Sequence, residues 1–296
     1  MCVVLFIYFA ASFLGQMQVV KHIVDVQTIL NIKKKEGVKI GFVPTMGALH
    51  EGHLSLVEKA GKETDFVVVS VFVNPTQFND KGDLERYPRN LEKDVELLST
   101  TPCKVVFAPE PKEIYPEPDT RQFNFGLLEE VMEGKFRPGH FNGVAQVVSR
   151  LFDIVKPDKA FFGEKDFQQL AIIKEMVRRT GMPVEIIPCA IVREADGLAM
   201  SSRNMLLDAE QRKNAVHISK TLFEAVNKSK ELTVQEVVKW VVERINENEF
   251  LNTEYFEIVD SMTLQPVQNW TDKGEKVGCV AVHCGKIRLI DNIRFK

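Results

Sequence analysis

At 296 residues, with 45% hydrophobic and 27% charged side chains, the chain has the make-up of a globular protein of one large or two modest domains with no deficit of core residues. Its 38 basic and 41 acidic residues leave a formal charge of −3, which argues against a nucleic-acid binder with a basic surface and for a local basic pocket. Five scattered cysteines, an odd number without a CxxC pair, fit a reducing compartment, the cytoplasm, and not a disulfide framework.

Residues 1–16 differ in character from the rest of the chain. The run 2–14 is almost wholly apolar, but no Lys or Arg precedes it, and it is shorter than the roughly 18–20 residues that span a bilayer. It is read as a non-native or unstructured leader, from an upstream start site or a cloning artefact, with a weak signal or anchor as the alternative and no membrane span expected. Residues 19–35 carry helical apolar spacing and end in three lysines, which suit a helix C-terminus. Residues 38–43 read as a short buried strand that should stop at Pro44, since proline cannot extend a central ladder.

The stretch GFVPTMGALHEGH at 41–53 then joins strand to helix through Gly47 and Gly52, with the helix running on through 54–60. A strand, a glycine turn and a helix start form a seat for phosphate, because free N–H groups and the helix dipole both favour an anion. His50 and His53, three residues apart, share a face and can donate to phosphate oxygens. A plain structural turn is the alternative. A zinc pair is the weaker one, because the spacing is not that of HExxH and no third ligand is apparent.

Residues 65–73 form a continuous apolar run, as a strand buried on both faces requires. It ends in Asn74-Pro75-Thr76-Gln77-Phe78, at the carboxyl end where ligands of α/β sheets sit. Asn74 and Gln77 are candidate amide donors there, or bond the loop backbone instead. A helix at 88–98, a strand at 104–108 and a surface loop at 109–119 come next. The segment 135–143, with Arg137 and His140, is a loop able to close over a site, or a turn capped by Asn142, ahead of a helix at 144–155.

Residues 159–162 make another strand, running into Gly163-Glu164-Lys165-Asp166-Phe167-Gln168-Gln169 and a helix through Arg179. Lys165 is a point charge suited to phosphate. After a strand at 184–192, Met200-Ser201-Ser202-Arg203 sets two hydroxyls beside a guanidinium, either a phosphate grip or a helix cap. Past Asp208 come two amphipathic helices (208–229 and 234–248), then strands near 255–259, 277–282 and 286–291 with a hairpin at Cys284-Gly285. Cys279 and Cys284 fall on opposite faces of their strand, so a structural role outweighs a metal loop.

In chain order, PTMGALHEGH, FVNPTQF, RPGHFNGV, FGEKDFQQ and MSSRN sit at strand ends. Together they resemble the pantoate–β-alanine ligase (pantothenate synthetase) family of the HIGH-motif nucleotidyltransferase superfamily, from Met17 to the C-terminus. HEGH resembles HIGH, and MSSR resembles the KMSKS-type loop. The resemblance implies an α/β fold: a Rossmann-like parallel-sheet N-terminal domain, 17–192, and a smaller α+β C-terminal lid, 193–296, in a homodimer. It implies ATP-dependent joining of pantoate to β-alanine through a pantoyl adenylate, with pyrophosphate and AMP released. Mg²⁺ is implied with the ATP and not in a side-chain cage of its own.

By the same resemblance, Met46, Gly47, Ala48, Leu49, His50, Glu51, Gly52 and His53 bind ATP, with Gly163, Glu164, Lys165, Asp166, Val192, Met200, Ser201, Ser202 and Arg203. His53, His50, Lys165 and Arg203 are the catalytic candidates. Gln77 and Gln169 hold pantoate or β-alanine, and Asn74, His140 and Arg137 are lesser candidates. The histidines, Lys165, Arg203 and Mg²⁺ are expected to offset the repulsion between the two anions. The rival readings are another HIGH-type adenylyltransferase, such as phosphopantetheine adenylyltransferase, and a silent nucleotide-binding module. The charge balance argues against tRNA as partner, and the glutamine-bearing segments argue for a small hydroxy acid.

Overall fold

The computed structural model describes residues 17–78 and 81–295, so the leader at 1–16 lies outside the described residues. Six parallel strands form the main sheet: β1 (Gln18–Val20), β2 (Ile40–Thr45), β3 (Phe66–Val71), β4 (Cys103–Phe107), β5 (Lys159–Gly163) and β6 (Glu185–Cys189), in the order β1-β4-β3-β2-β5-β6. Helices α1 (Ile23–Lys35), α4 (His140–Val155) and α5 (Phe167–Thr180) cover one face, and α2 (Glu51–Glu63) and α3 (Leu91–Ser99) the other. Neighbouring residues on one strand therefore enter different cores. Phe42 and Phe162 pack with α1, α4 and α5, whereas Val43 and Phe161 pack with α2 and α3. With both faces covered, the strands read as unbroken apolar runs.

The chain lays β3 and β4 on one side of β2 and then returns to place β5 on the other. This reversal creates a crevice at the carboxyl ends of β2 and β5. Pro44 does not end β2 as its chemistry suggested. The strand runs through it to Thr45 and pairs with Ser70 of β3. The backbone direction explains why. The Ile40 carbonyl accepts from Asp158 on the β5 side and the Thr45 carbonyl from Phe72 on the β3 side, so Pro44, four residues past Ile40, faces β5. There the pairing already stops at Phe42–Ala160, and the missing N–H breaks no ladder bond.

Other boundaries also moved. The helix expected from Val19 starts at Ile23, because Gln18–Val20 is taken by β4 as an edge strand. β6 ends at Cys189, where its partner β5 also ends, and does not reach Val192. The helix after Arg137 begins at His140 with Gly139 as its cap. Asn142 is not that cap; its side chain accepts from the Phe123 N–H at 2.8 Å.

Past Asp208 the chain builds a further core from α6 (Ala209–Lys228), α7 (Val234–Asn246) and the antiparallel strands β7 (Leu251–Asp260), β8 (Lys276–Cys284) and β9 (Ile287–Phe295). Both helices start in capping boxes, Asp208 with Gln211 and Thr233 with Glu236. Cys284 packs into the helix-side core and Cys279 into the cluster on the other face, as their spacing requires. That second face meets the parallel-sheet unit through a buried charge cluster. Arg288 of β9 grips Glu133 at 2.6 and 2.9 Å, and the Tyr255 hydroxyl donates to the same carboxylate at 2.7 Å. Burial alone would raise the Glu133 carboxyl, but the Arg288 hydrogen bonds and charge, with Tyr255, bring it down to about 2. Arg288→Met leaves that carboxylate buried without its main partner, so urea denaturation should show a loss of about 3–5 kcal/mol; an unchanged midpoint would contradict this role.

Candidate active site

The turn after β2 is held from three directions. Thr45 Oγ1 donates to the Ser70 carbonyl at 2.7 Å and accepts from the Gly47 N–H at 3.2 Å. Gly47 (φ 78°) and Ala48 (φ 51°) then take left-handed conformations. The Asp94 carboxylate of α3 accepts from the Ala48 N–H at 3.0 Å and the Leu49 N–H at 2.7 Å. Burial raises the Asp94 carboxyl above its usual range, and the two amide bonds act against that rise. Asp94 was not among the sequence candidates. The available signal was an acid four residues before Leu98, on the inward face of an amphipathic helix.

The two histidines share one piece of local geometry. His50 is the N-cap of α2, and its Nδ1 accepts from the Gly52 N–H at 3.1 Å. His53 Nδ1 in turn accepts from the His50 N–H at 3.4 Å, a reciprocal box with the rings 4.1 Å apart. The three-residue spacing is therefore a capping spacing as well as a shared face. Gly52 is required here, since a Cβ would fall 2.8 Å from His50 Cε1. With both Nδ1 atoms accepting, the neutral rings carry their protons on Nε2, available to a ligand. His50 is lowered to about 4, by burial first and then by the Lys165 charge. His53 is lowered well below its ordinary value, by burial, then His50, then Lys165. This corrects the expectation that the imidazoles supply positive charge: in the ligand-free protein near pH 7 they are neutral donors, and the cations are Lys165 and Arg203.

A cavity of about 210 Å³ opens at the β2–β5 crevice. Met46, His50, Gly52 and His53 line it from the turn and α2, and Asn74 and Gln77 from the end of β3. Gly163, Lys165, Asp166 and Gln169 enter from the end of β5 and α5, and Val192 with Met200, Ser201, Ser202 and Arg203 from the segment after β6. The last segment reaches the first directly: Ser202 Oγ donates to the Ala48 carbonyl at 3.0 Å, and the Met200 N–H donates to the Val192 carbonyl at 3.0 Å. Four motifs distant in sequence thus surround one space. Gly47, Ala48, Leu49, Glu51 and Glu164 do not line it. The first three shape the turn, Glu51 is exposed, and Glu164 pairs with Arg294 at 2.9 Å.

Arg137 and His140 stand beside a second, adjoining cavity of about 40 Å³, which shares Lys165, Asp166 and Gln169 with the first. His140 Nδ1 meets the Gln77 carbonyl at 2.8 Å and its Nε2 meets Arg137 at 3.2 Å, so both ring nitrogens are engaged by protein. Burial, then the Arg137 charge, lowers this ring to about 4. Asn74 is likewise engaged: its Nδ2 donates to the Gly143 carbonyl and Gln77 Oε1, and its Oδ1 accepts from Tyr115 and Thr76. Gln77 donates to Met46 Sδ at 2.8 Å, a weak acceptor. Gln169 makes no side-chain hydrogen bond among the described residues, so its amide is available to a ligand. The apolar wall, Val144, Val147, Val148 and Leu151 of α4, went unrecognised because its i, i+3, i+4, i+7 stripe is that of any core helix. Among the described residues no group of three or more His, Cys, Asp or Glu is placed to hold a metal.

The partly desolvated His50 and the buried His140 set an acid limit. His50 and His140 fall from 6.5 to about 4 on folding, so between those values the unfolded chain takes up protons that the folded one refuses. Their contribution is complete above pH 6.5 and is lost as pH falls toward 4. The melting temperature of the ligand-free protein should drop across that window, and His140→Gln should shallow the drop; a slope unchanged in that variant would count against the assignment.

The Pantoate-beta-alanine ligase family model matches residues 18–294. The pantothenate synthetase of Bacteroides fragilis (strain YCH46) is 56% identical over 280 residues, 95% of this chain and 99% of that protein. That of Phocaeicola vulgatus is 57% identical over 281 residues, 95% and 100% of the two chains. Among solved structures, the pantothenate synthetase of Thermus thermophilus superposes with a TM-score of 0.88 at 42% identity, covering 95% of this chain and all of that one. A pantoate-beta-alanine ligase from Francisella tularensis, solved with beta-gamma ATP and β-alanine, gives 0.76 at 36% identity, covering 94% and 97%. With the motifs gathered on one cavity and matches running along nearly its whole described length, the chain belongs to the pantoate–β-alanine ligase family.

Proposed function

We propose that the protein joins pantoate to β-alanine at the β2–β5 cavity, in two steps through a pantoyl adenylate. The pantoate carboxylate attacks the α-phosphorus of ATP in line and pyrophosphate leaves. The β-alanine amine then attacks the acyl carbon, and AMP leaves. The observation that carries this reading is the Ser202–Ala48 hydrogen bond, which joins the Met200–Arg203 segment to the His50/His53 turn around a cavity that also holds Lys165. Lys165 and Arg203 offset the repulsion between two anions, and the His50 and His53 Nε2–H groups donate to phosphate oxygens without adding charge until the phosphates raise their proton affinity. The Gln77 and Gln169 amides hold pantoate. Asn74, His140 and Arg137 keep Gln77 in place. Residues 193–296 act as the lid.

Mg²⁺ bound with ATP supplies neutralisation of the phosphate charge. Asp166, a carboxylate that lines the cavity, would be the side chain to approach it, through the water and phosphate oxygens such an ion prefers. Buried free thiols at Cys103, Cys189, Cys279 and Cys284, and no helix among the described residues long and apolar enough to cross a membrane, support a cytoplasmic enzyme. A homodimer is the expected assembly, with support from the exposed Val24 and Ile32 of α1; light scattering giving the mass of one chain at assay concentrations would remove it. Adenylyl transfer to a phosphate, as in phosphopantetheine adenylyltransferase, is not favoured, since the matched family and relatives are pantoate–β-alanine ligases.

Pantoate-dependent ATP–pyrophosphate exchange tests the reading. His53→Ala or Lys165→Ala should slow it by roughly 10²–10³, and exchange at the unsubstituted rate would refute those roles. Gln77→Ala should raise the KM for pantoate more than that for ATP; an unchanged pantoate KM would contradict its assignment.

A further inference from the structure

Lys165 sits on a turn held from the other half of the molecule. Its ammonium has one described side-chain neighbour in charge contact, Asp166 at 3.7 Å. A flexible four-carbon stem with so loose a partner is aimed by its backbone. That backbone is pinned on two sides. The Glu164 N–H donates to the Cys189 carbonyl of β6 at 2.8 Å. On the opposite side, Asn292 of β9 donates through Nδ2 to the Glu164 carbonyl at 2.8 Å and the Lys165 carbonyl at 3.0 Å. Both carbonyls precede Asp166, the N-cap of α5, and so lie outside the intrahelical ladder.

Asn292 is itself buried and fixed. Its N–H donates to Asp291 Oδ1 at 2.7 Å, and the Asp291 carboxylate is gripped by Arg193 at 2.6 and 2.9 Å. Arg193 begins the segment that leads to Ser201, Ser202 and Arg203, and bridges Ala199 across it. One dipeptide of the C-terminal sheet thus bears on both cationic motifs.

We propose that Asn292 is a positioning residue for Lys165, setting the height of the ammonium over the phosphates from a strand outside the parallel sheet. The proposal rests on the role assigned to Lys165 above. A displacement of about 1 Å in such a group can cost about 10²-fold in rate.

A double-mutant cycle on pantoate-dependent exchange tests it, with melting temperatures measured alongside. Asn292→Leu, close in size but without donors, should lower kcat by about ten- to a hundredfold. In a Lys165→Ala background the same change should cost less than about twofold, because the group it aims is gone. If Asn292→Leu does not fold, Asn292→Ser, which keeps one donor, should give an intermediate loss with the same dependence on Lys165. Equal losses in both backgrounds would show that Asn292 only ties the two sheets together and would overturn the proposal, as would an unchanged kcat in folded Asn292→Leu. Failure of the underlying reading looks different: Lys165→Ala alone is then without effect, or the unsubstituted protein shows no pantoate-dependent exchange, and either result also removes the proposal.

Discussion

The protein depends on a parting of strands. β2 and β5 are hydrogen-bonded only as far as Phe42 and Ala160, and beyond that point Pro44 presents no N–H to the facing strand. Because the chain reverses direction across the sheet at this pair, the gap opens at the carboxyl ends, toward the starts of α2 and α5. A residue with a free N–H at position 44 would keep the option of closing the ladder. Proline removes it, while the other edge of β2 stays paired with β3 through Thr45. The cavity is thus a consequence of backbone chemistry before any ligand-binding side chain is considered.

Charge in the cavity is divided between two kinds of donor. The imidazoles of His50 and His53 are half-buried and close to Lys165, and His53 is also close to His50, circumstances that disfavour a second proton. Their Nδ1 atoms are taken up by helix capping, which leaves one oriented N–H on each ring. Lys165 and Arg203 carry the permanent charge. Such a division lets donors be preplaced without the mutual repulsion of four cations in one small space.

The C-terminal unit does more than pack against the parallel-sheet unit. Arg288 and Tyr255 hold Glu133, four residues before Arg137, while Asp291 and Asn292 hold Arg193 and the Lys165 turn. Both contacts stand behind cavity residues and not in front of them. A shift of the second sheet would therefore be felt on the Gln77 side of the cavity through Arg137 and His140, and on the side of His50 and His53 through Lys165.

Local chemistry in the sequence was enough for the class of fold, for strands lying within 38–45 and 65–73, for the strand end at Gly163, for the second hairpin, and for placing PTMGALHEGH, FVNPTQF and FGEKDFQQ at strand ends; RPGHFNGV instead runs from one helix into the next, and MSSRN lies well past the end of β6. Apolar period, glycine punctuation and capping pairs act over a few residues and can be read there. What it left open depended on partners far along the chain. Whether Gln18–Val20 is strand or helix is settled by β4, and whether Pro44 ends its strand is settled by which edge it faces. The charge state of His50 and His53 comes from burial and from Lys165, and the shape of the glycine turn from Asp94, a residue that by itself looks like one more acid on a helix. Those outcomes belong to tertiary structure because desolvation, sheet order and hydrogen-bond pairing depend on what lies a few ångströms away in space, which spacing along the chain does not record.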